Sequence, residues 1–375
     1  MRVLVCHHTL NTAGGGERVA LHVIKLAQDM GFDVELATTE PTDWDHVQRV
    51  IGIRLSKIPR EHSLFPFKLR AFGIYQRFLT GVHASRLRKG FDLTINTHGD
   101  VMALPTDVTY LHFPTLAYWR RGELRPYSKY LKSLFWFIYF QPYRLMEERL
   151  IDWCFGNSLI LTNSEFSREA IREILGRDAL VIYPPVEVNE YLKLPLKGRR
   201  DAVVYIARFS EEKNNHMLVH IAKELPDVDF YLIGSVRGKG VEYYNYCCRL
   251  KERLGVRNLK IMPNLPHEDK LKVLSMCKVY VHLMQAEHFG IAPVEAMAAG
   301  LIPIVHMSGG AWSDVVACGK FGFGYSRLDP KEIADSIEKA LSSWSSMVGN
   351  VRERSMEFSV EKFRVRFGKV LEEFV

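Results

Sequence analysis

Two carboxylates, Glu287 and Glu295, stand eight positions apart in the segment Glu287-His288-Phe289-Gly290-Ile291-Ala292-Pro293-Val294-Glu295. Upstream, residues 279–284 (VYVHLM) are short, apolar and partly β-branched, the pattern of a buried strand. Downstream, Pro293 suits the first helical position and Gly300 follows the AMAA run, so a helix is bracketed between them. The loop over residues 285–291 therefore brings a ligand to a helix N-terminus, where unpaired amides and the helix dipole favour an anion. Phosphate alone needs no carboxylates beside it. A sugar nucleotide does: its diphosphate takes amides and cations, and its hydroxyls take acceptors. Taken singly, Glu295 is equally well a first-turn glutamate that complements the dipole. The whole segment in order favours the sugar nucleotide.

Other residues could complete such chemistry. Residues 14–18 read Gly-Gly-Gly-Glu-Arg after the first strand. Glycines there let the backbone approach a ligand and present amides to phosphate, which makes Gly15 and Gly16 candidates. No Lys-Ser/Thr follows, so this is not a P-loop, and Val19 stands where a dinucleotide fingerprint has its third glycine. Arg208 and Lys213, in ARFSEEKN, follow a later strand. Isolated, they would be a solvated face. Beside a departing diphosphate, fixed cations stabilise the charge that develops on it. His112 closes the strand VTYLH and so sits at the carboxyl end of a sheet; His7 and His8 are similarly placed and rank below it. Two D-x-D triplets, at Asp43/Asp45 and Asp227/Asp229, precede a strand or lie in a polar connection. We read both as coincidental and expect no essential metal and no other cofactor.

These residues must be positioned by strands and helices that alternate nearly throughout. Apolar runs at residues 2–8, 33–38, 93–96, 108–112 and 159–163 read as strands. Residues 17–30 form a helical pattern, with Val19, Val23, Leu26 and Met30 on one face. After Tyr183-Pro184-Pro185-Val186 the alternation resumes at residues 201–209, 228–234, 259–262 and 279–284. Repeated βα units mean a parallel sheet covered on both faces. The predicted class is α/β, with two doubly wound Rossmann-like domains over residues 1–183 and 186–346. Ligands of such sheets lie beyond the carboxyl ends of the strands, here in a cleft that the two domains face. Residues 357–375 read as a last helix, apolar at Val360, Phe363, Val365, Phe367 and Val370.

A chain of 375 residues exceeds what one core usually serves. The net charge of +7 suits a phosphorylated substrate, an anionic membrane surface or a nucleic acid. No recognised nucleic-acid module is present, so that partner is not expected. Arg2 opens directly into a strand, and no secretory leader is expected. The six cysteines show no C-x2-C spacing and fit reduced thiols in a cytoplasm. Residues 118–153 crowd aromatics (Tyr118, Trp119, Tyr127, Tyr130, Phe135, Trp136, Phe137) among cations (Arg120, Arg121, Arg125, Lys129, Lys132, Arg144). Such a segment suits an anionic membrane surface; the competing reading is a core helix with a basic outer face.

The E-x7-E spacing, with the following AMAAGLIPIVHMSGG, resembles the signature of family 4 retaining glycosyltransferases of the GT-B fold. The words GGGERV, Leu-His-Phe-Pro-Thr115, Leu-Thr-Asn-Ser164 and Glu287-His288-Phe289-Gly290-Ile291 resemble more closely the α-1,2-mannosyltransferases that extend lipid-linked oligosaccharides on the cytosolic face for asparagine-linked glycosylation. The resemblance implies GDP-mannose as donor and a polyprenyl-diphosphate-linked glycan as acceptor. It implies a cytoplasmic protein, peripheral on the inner face of a membrane, whose last helix crosses back onto the first domain. It implies that Arg208 and Lys213 bind the donor diphosphate, that His112 contacts the transferred sugar, and that Gly15 and Gly16 face the diphosphate and acceptor. Glu287 is expected to act on the sugar hydroxyls. Phe289, Gly290, Ile291 and Glu295 complete the donor set. A UDP-hexose transferase of the same fold is the alternative, and a sugar-nucleotide-binding protein without transfer is a third reading.

Overall fold

A strand covered by helices on both faces must be apolar along its length, and this chain supplies such runs twice over. A computed structural model of the protein describes residues 1–68, 71–122, 124, 129–131, 133–238 and 240–375. Seven strands, β1 (Arg2–Cys6), β2 (Asp33–Thr38), β3 (Arg60–Ser63), β4 (Leu93–Asn96), β5 (Val108–Leu111), β6 (Leu159–Thr162) and β7 (Leu180–Val181), form one sheet in the order β3-β2-β1-β4-β5-β6-β7. Six more, β8 (Ala202–Ile206), β9 (Asp229–Gly234), β10 (Leu259–Pro263), β11 (Val279–Val281), β12 (Ile302–His306) and β13 (Phe323–Tyr325), form a second in the order β10-β9-β8-β11-β12-β13. Each paired strand runs parallel to its neighbour. The expected α/β class with two Rossmann-like sheets is what the protein has.

Strand order reverses between β1 and β4 in the first sheet and between β8 and β11 in the second. At such a point the crossover helices leave in opposite directions, and the crevice beyond the strands' carboxyl ends is where ligands bind. The segments that follow those four strands are therefore the ones to inspect: His7 onward, Thr97 onward, Arg208 to Lys213, and His282 to Glu287.

The chain divides into two compact units, Met1–Pro185 with Glu361–Val375, and Val186–Val360. In the first, the helix Gly15–Asp29 buries Val19, Val23 and Leu26 against Val3, Val5, Leu36 and Ile95. The last helix, Val360–Glu372, adds Phe363, Phe367, Val370 and Leu371 to this same core. Arg364 fastens it with a 2.9 Å ion pair to Asp29. Val365, although apolar in the sequence pattern, is 58% exposed, because it lies on the opposite face of that helix. In the second unit the helix Pro330–Ser355 starts where the Asp329 carboxylate accepts from the Lys331 amide. Its Trp344 Nε1 donates to Gly300 O at 2.9 Å, tying it to the end of the helix Ile291–Ala298.

Helix ends depart from the sequence reading by a turn or less. The first helix begins at Gly15 rather than Glu17, because the Glu17 carboxylate reaches back 2.8 Å to the Gly14 amide and closes the first turn around the glycines. The helix near Glu295 begins at Ile291, with Gly290 at φ +98° as its cap, so Pro293 is its third residue. Asp43 caps a helix by accepting from the His46 amide at 3.0 Å, and Asp229 begins β9. The six cysteines are free thiols. Among the described residues no helix is long and apolar enough to cross a membrane.

Truncating Phe367, which is fully buried in the first unit's core, leaves a cavity that neighbouring side chains fill only in part. Phe367→Ala is expected to cost about 3–5 kcal/mol of that unit's stability, read by denaturant unfolding. Val365→Ala on the exposed face is expected to stay within about 0.5 kcal/mol.

Candidate functional site

In the second unit, the loops after β8 and β11 bring Lys213 and Glu287 together. Lys213 Nζ lies 3.1 Å from Glu287 Oε2, across 74 residues of sequence. Two local features set the lysine. Tyr205 OH donates to Lys213 O at 2.5 Å, and the next residue, Asn214, turns at φ +51° while its Nδ2 donates to Leu283 O at 3.0 Å. The glutamate backbone is held equally firmly. Gly310 N donates to Glu287 O at 2.8 Å, and Glu287 forms a lone β-bridge with Gly309. Gly309 has φ +79°, and a Cβ there would lie 2.2 Å from Glu287 O, so only glycine fits.

His282, buried one residue past β11, places Nε2 3.3 Å from the same Glu287 oxygen. Burial pushes the Glu287 carboxyl up, but Lys213 and His282 together hold it well below the usual carboxylate range. Burial pushes His282 below the usual histidine range, so it faces Glu287 as a neutral ring. The result is an ionised, immobilised carboxylate beside an ammonium, at the N-terminal end of the helix Ile291–Ala298. First-turn amides of that helix have no intrahelical acceptor and attract an anion.

Glu295, further along this helix, lies 3.5 Å from Lys270 Nζ. Arg208 sits at the rim, paired with Glu212 at 2.7 Å and largely exposed. The Phe289 side chain is buried and meets the Phe358 ring edge-on at 5.4 Å, so its ring serves the core.

In the first unit, His112 follows β5 and lies against the head of the helix Gly15–Asp29. A Cβ on Gly16 would come within 3.4 Å of His112 Nε2, so a glycine leaves room for the ring. That nitrogen donates to Thr97 O at 3.1 Å. His7 reaches Thr97 Oγ1 at 2.9 Å and Glu17 Oε1 at 3.7 Å, and packs edge-on against His98 at 5.0 Å. His8 packs on the other side of His98 at 5.5 Å. Burial, and then the neighbouring His7, hold His98 well below the usual histidine range. The switch point of this unit thus collects histidines, a glutamate and a glycine turn. Gly15, Gly16 and His112 come together here; Arg208, Lys213, Glu287 and Glu295 belong to the other unit.

Sequence reasoning did not single out His282, Lys270, His98 or Glu17. His282 carried no signal, because the apolar run 279–284 reads as one strand through it, whereas the structure ends that strand at Val281; His98 is in the segment after LTIN. Lys270 carried none, since one lysine on an amphipathic helix looks like any other. Among the described residues, no group of three or more His, Cys, Asp or Glu is placed to hold a metal ion.

In the basic-aromatic run, Arg125, Tyr127 and Lys132 lie outside the described residues, as does the Lys129 side chain. Arg120 pairs with Glu148 at 3.3 Å, Arg121 with Glu173 at 3.2 Å, and Arg144 with Glu148 at 3.5 Å. The start of the helix Leu134–Phe155 instead exposes Leu134 (73%), Phe135 (69%) and Ile138 (60%), while Phe140 and Tyr143 are buried.

Residues 190–357 match the family described as "Glycosyl transferases group 1". The chain is 28% identical over 350 residues to a GDP-Man:Man(3)GlcNAc(2)-PP-Dol alpha-1,2-mannosyltransferase of Neurospora crassa, covering 76% of this chain and 61% of that protein. It is 25% identical over 296 residues to the Homo sapiens protein of the same name, covering 69% and 59%. The chain therefore spans about three fifths of the length of these two relatives. A solved sucrose-phosphate synthase from Thermosynechococcus elongatus superposes with a TM-score of 0.76 at 18% identity, over 100% of this chain and 98% of that one. The likeness to solved structures fixes the fold as GT-B.

The Glu17 carboxyl carries a testable consequence. Burial pushes it up, but the neighbouring His7 ring and Thr12 lower it from 4.5 to about 2. A carboxyl depressed in the folded state stabilises above its unfolded value, and the contribution is lost as pH falls through the folded one. Glu17→Gln is expected to be less stable than the natural protein at neutral pH. The gap should close between pH 4.5 and about 2, as read by urea unfolding at a series of pH values.

Proposed function

We propose that this chain, whose residues 190–357 match the group 1 glycosyltransferase family, is a retaining hexosyltransferase that moves mannose from GDP-mannose onto a glycan carried by a polyprenyl diphosphate. The names of these relatives support the donor and the acceptor class. The observation that carries the reading is the 3.1 Å Lys213–Glu287 pair at the switch point of the second sheet, ahead of a helix N-terminus. It joins a cation for a diphosphate to an acceptor for hydroxyls.

Cleaving the bond between the anomeric carbon and the phosphate oxygen leaves negative charge on the diphosphate. Lys213, Arg208 and the amides at Gly290 and Ile291 stabilise that charge in the transition state. Glu287 holds Lys213 where a diphosphate can compete for it. The same carboxylate, kept ionised, accepts from the sugar hydroxyls, and Glu295 accepts from the ribose. In the first unit His112 is assigned to the transferred sugar, and the Gly15–Gly16 turn to the diphosphate and acceptor. No side chain is assigned as a nucleophile. Cations and helix amides fill the leaving-group role that a metal fills in other transferases.

Lys213→Ala is expected to slow turnover at least about a hundredfold, from the loss of one preorganised charge contact, with the fold kept by circular dichroism although thermal unfolding comes earlier, because Glu287 loses its counter-charge. Activity is expected to persist in EDTA. Near-normal turnover in the variant, or loss of activity on chelation, would contradict the assignment. GDP-mannose and UDP-glucose, compared for thermal stabilisation, separate the donor readings: at a hundredfold excess over Kd the true donor adds about 2.7 kcal/mol. Binding without transfer to any lipid-linked or free glycoside acceptor would favour the binding-protein reading.

An acceptor held in a bilayer requires the enzyme to meet a membrane surface, and we place it in the cytoplasm, peripheral on the inner face. The exposed Leu134, Phe135 and Ile138 support this, since apolar side chains at a helix start insert at headgroup level. The chain's net charge of +7 adds attraction to an anionic surface. The natural protein is expected to sediment with anionic liposomes at low salt and to be released partly at high salt. A variant with Leu134, Phe135 and Ile138 changed to Ser is expected to stay in solution. Equal sedimentation of the two would remove this segment from membrane binding.

A further inference from the structure

Glu295 does not stand alone. Its Oε2 lies 3.5 Å from Lys270 Nζ, and both side chains are largely shielded, 12% and 17% exposed. Lys270 is on the helix His267–Met276 and is itself held: Nζ donates to Tyr191 OH at 2.8 Å and lies 5.1 Å from the centre of that ring. Tyr191 is buried on the short helix Val188–Leu192, and the His267 ring meets it edge-on at 6.4 Å. His267 Nε2 in turn lies 2.8 Å from Glu190 Oε2, joining the two helices at a second point. Three separate elements therefore converge to fix one ammonium beside one carboxylate.

A glutamate that only complemented a helix dipole would need no such arrangement. A shielded carboxylate that must point one way does need it, because removing its counter-charge leaves it unpaired in a poorly solvated place. Lys270 engages Oε2, and the carboxylate's second oxygen is a further acceptor. A carboxylate presenting a fixed oxygen is suited to a vicinal diol, where charge-assisted hydrogen bonds are strong and directional.

We infer that Lys270, locked by Tyr191, is a positioning residue for Glu295, and that this trio sets a preference for a ribonucleotide donor over its 2′-deoxy counterpart. The inference rests on the reading of Glu295 as the acceptor for ribose hydroxyls.

The test measures binding of GDP and 2′-deoxy-GDP, and of UDP and 2′-deoxy-UDP, to the natural protein and to Lys270→Met, Lys270→Arg, Tyr191→Phe and Glu295→Gln. For whichever base binds, the natural protein is expected to prefer the ribonucleotide at least about tenfold, the worth of one charge-assisted hydrogen bond. Lys270→Met and Glu295→Gln are each expected to bring that ratio toward one, and the double variant to go no further than either single one. Lys270→Arg should keep part of the preference. A purely structural pair would weaken both nucleotides alike and leave the ratio intact, and that result overturns the proposal. If Lys270→Met fails to fold, Tyr191→Phe carries the test, since losing the hydroxyl that holds Lys270 should also lower the ratio; an unchanged ratio there overturns it too. A natural protein that binds nucleotide without ribose preference sinks this inference and leaves the donor reading standing. One that binds neither nucleotide sinks both.

Discussion

Everything at the candidate site depends on one constraint of parallel sheets. A parallel strand cannot turn straight back, so each must be followed by a crossover, and all carboxyl ends gather along one edge. Where the order of strands reverses, two neighbouring crossovers part and leave a crevice at that edge. In this protein the reversals fall at β1/β4 and β8/β11. Lys213 comes from the crossover after β8 and Glu287 from the one after β11, so residues 74 positions apart in the chain meet at 3.1 Å.

That meeting shapes the electrostatics around it. Burial alone would neutralise Glu287, and the site keeps it ionised by giving its Oε2 both an ammonium and a neutral imidazole. The backbone clasp through Gly309 and Gly310 fixes where the carboxylate stands. Glu295 repeats the theme one helix turn or two further on, with Lys270 in the counter-charge role. Two carboxylates are thus each held by a lysine from a different element. This is the arrangement that polar recognition requires when the groups must be oriented before a ligand arrives.

In the first unit, part of the charge between residues 118 and 153 is taken up by pairing within the fold. The density of arginine between residues 118 and 153 reads as a basic face, yet Arg120, Arg121 and Arg144 are engaged by Glu148 and Glu173 of the same unit. Among the described residues, the head of the helix Leu134–Phe155 turns apolar side chains outward, Leu134, Phe135 and Ile138, while its Phe140 and Tyr143 are buried. Arginine stems and paired guanidinium groups cover helix surface as readily as they face water.

The sequence by itself determined the α/β class, the alternation of elements and the Pro184-Pro185 break, because strand and helix periodicities are local and the runs here are clean. It also marked Glu287, Glu295, Arg208, Lys213, Gly15, Gly16 and His112 as residues at element ends, since strand ends and helix starts are written in a few adjacent residues. It did not determine which of these groups touch. The pairing of Lys213 with Glu287, the entry of His282 beside them, and the Tyr191–Lys270–Glu295 arrangement each join segments separated by tens of residues. Only the order of strands in the sheet decides such contacts, and no local pattern encodes that order. The same holds for Phe363 and Phe367: their helical spacing is visible in the chain, but the core they enter, that of the first unit, is chosen by tertiary packing.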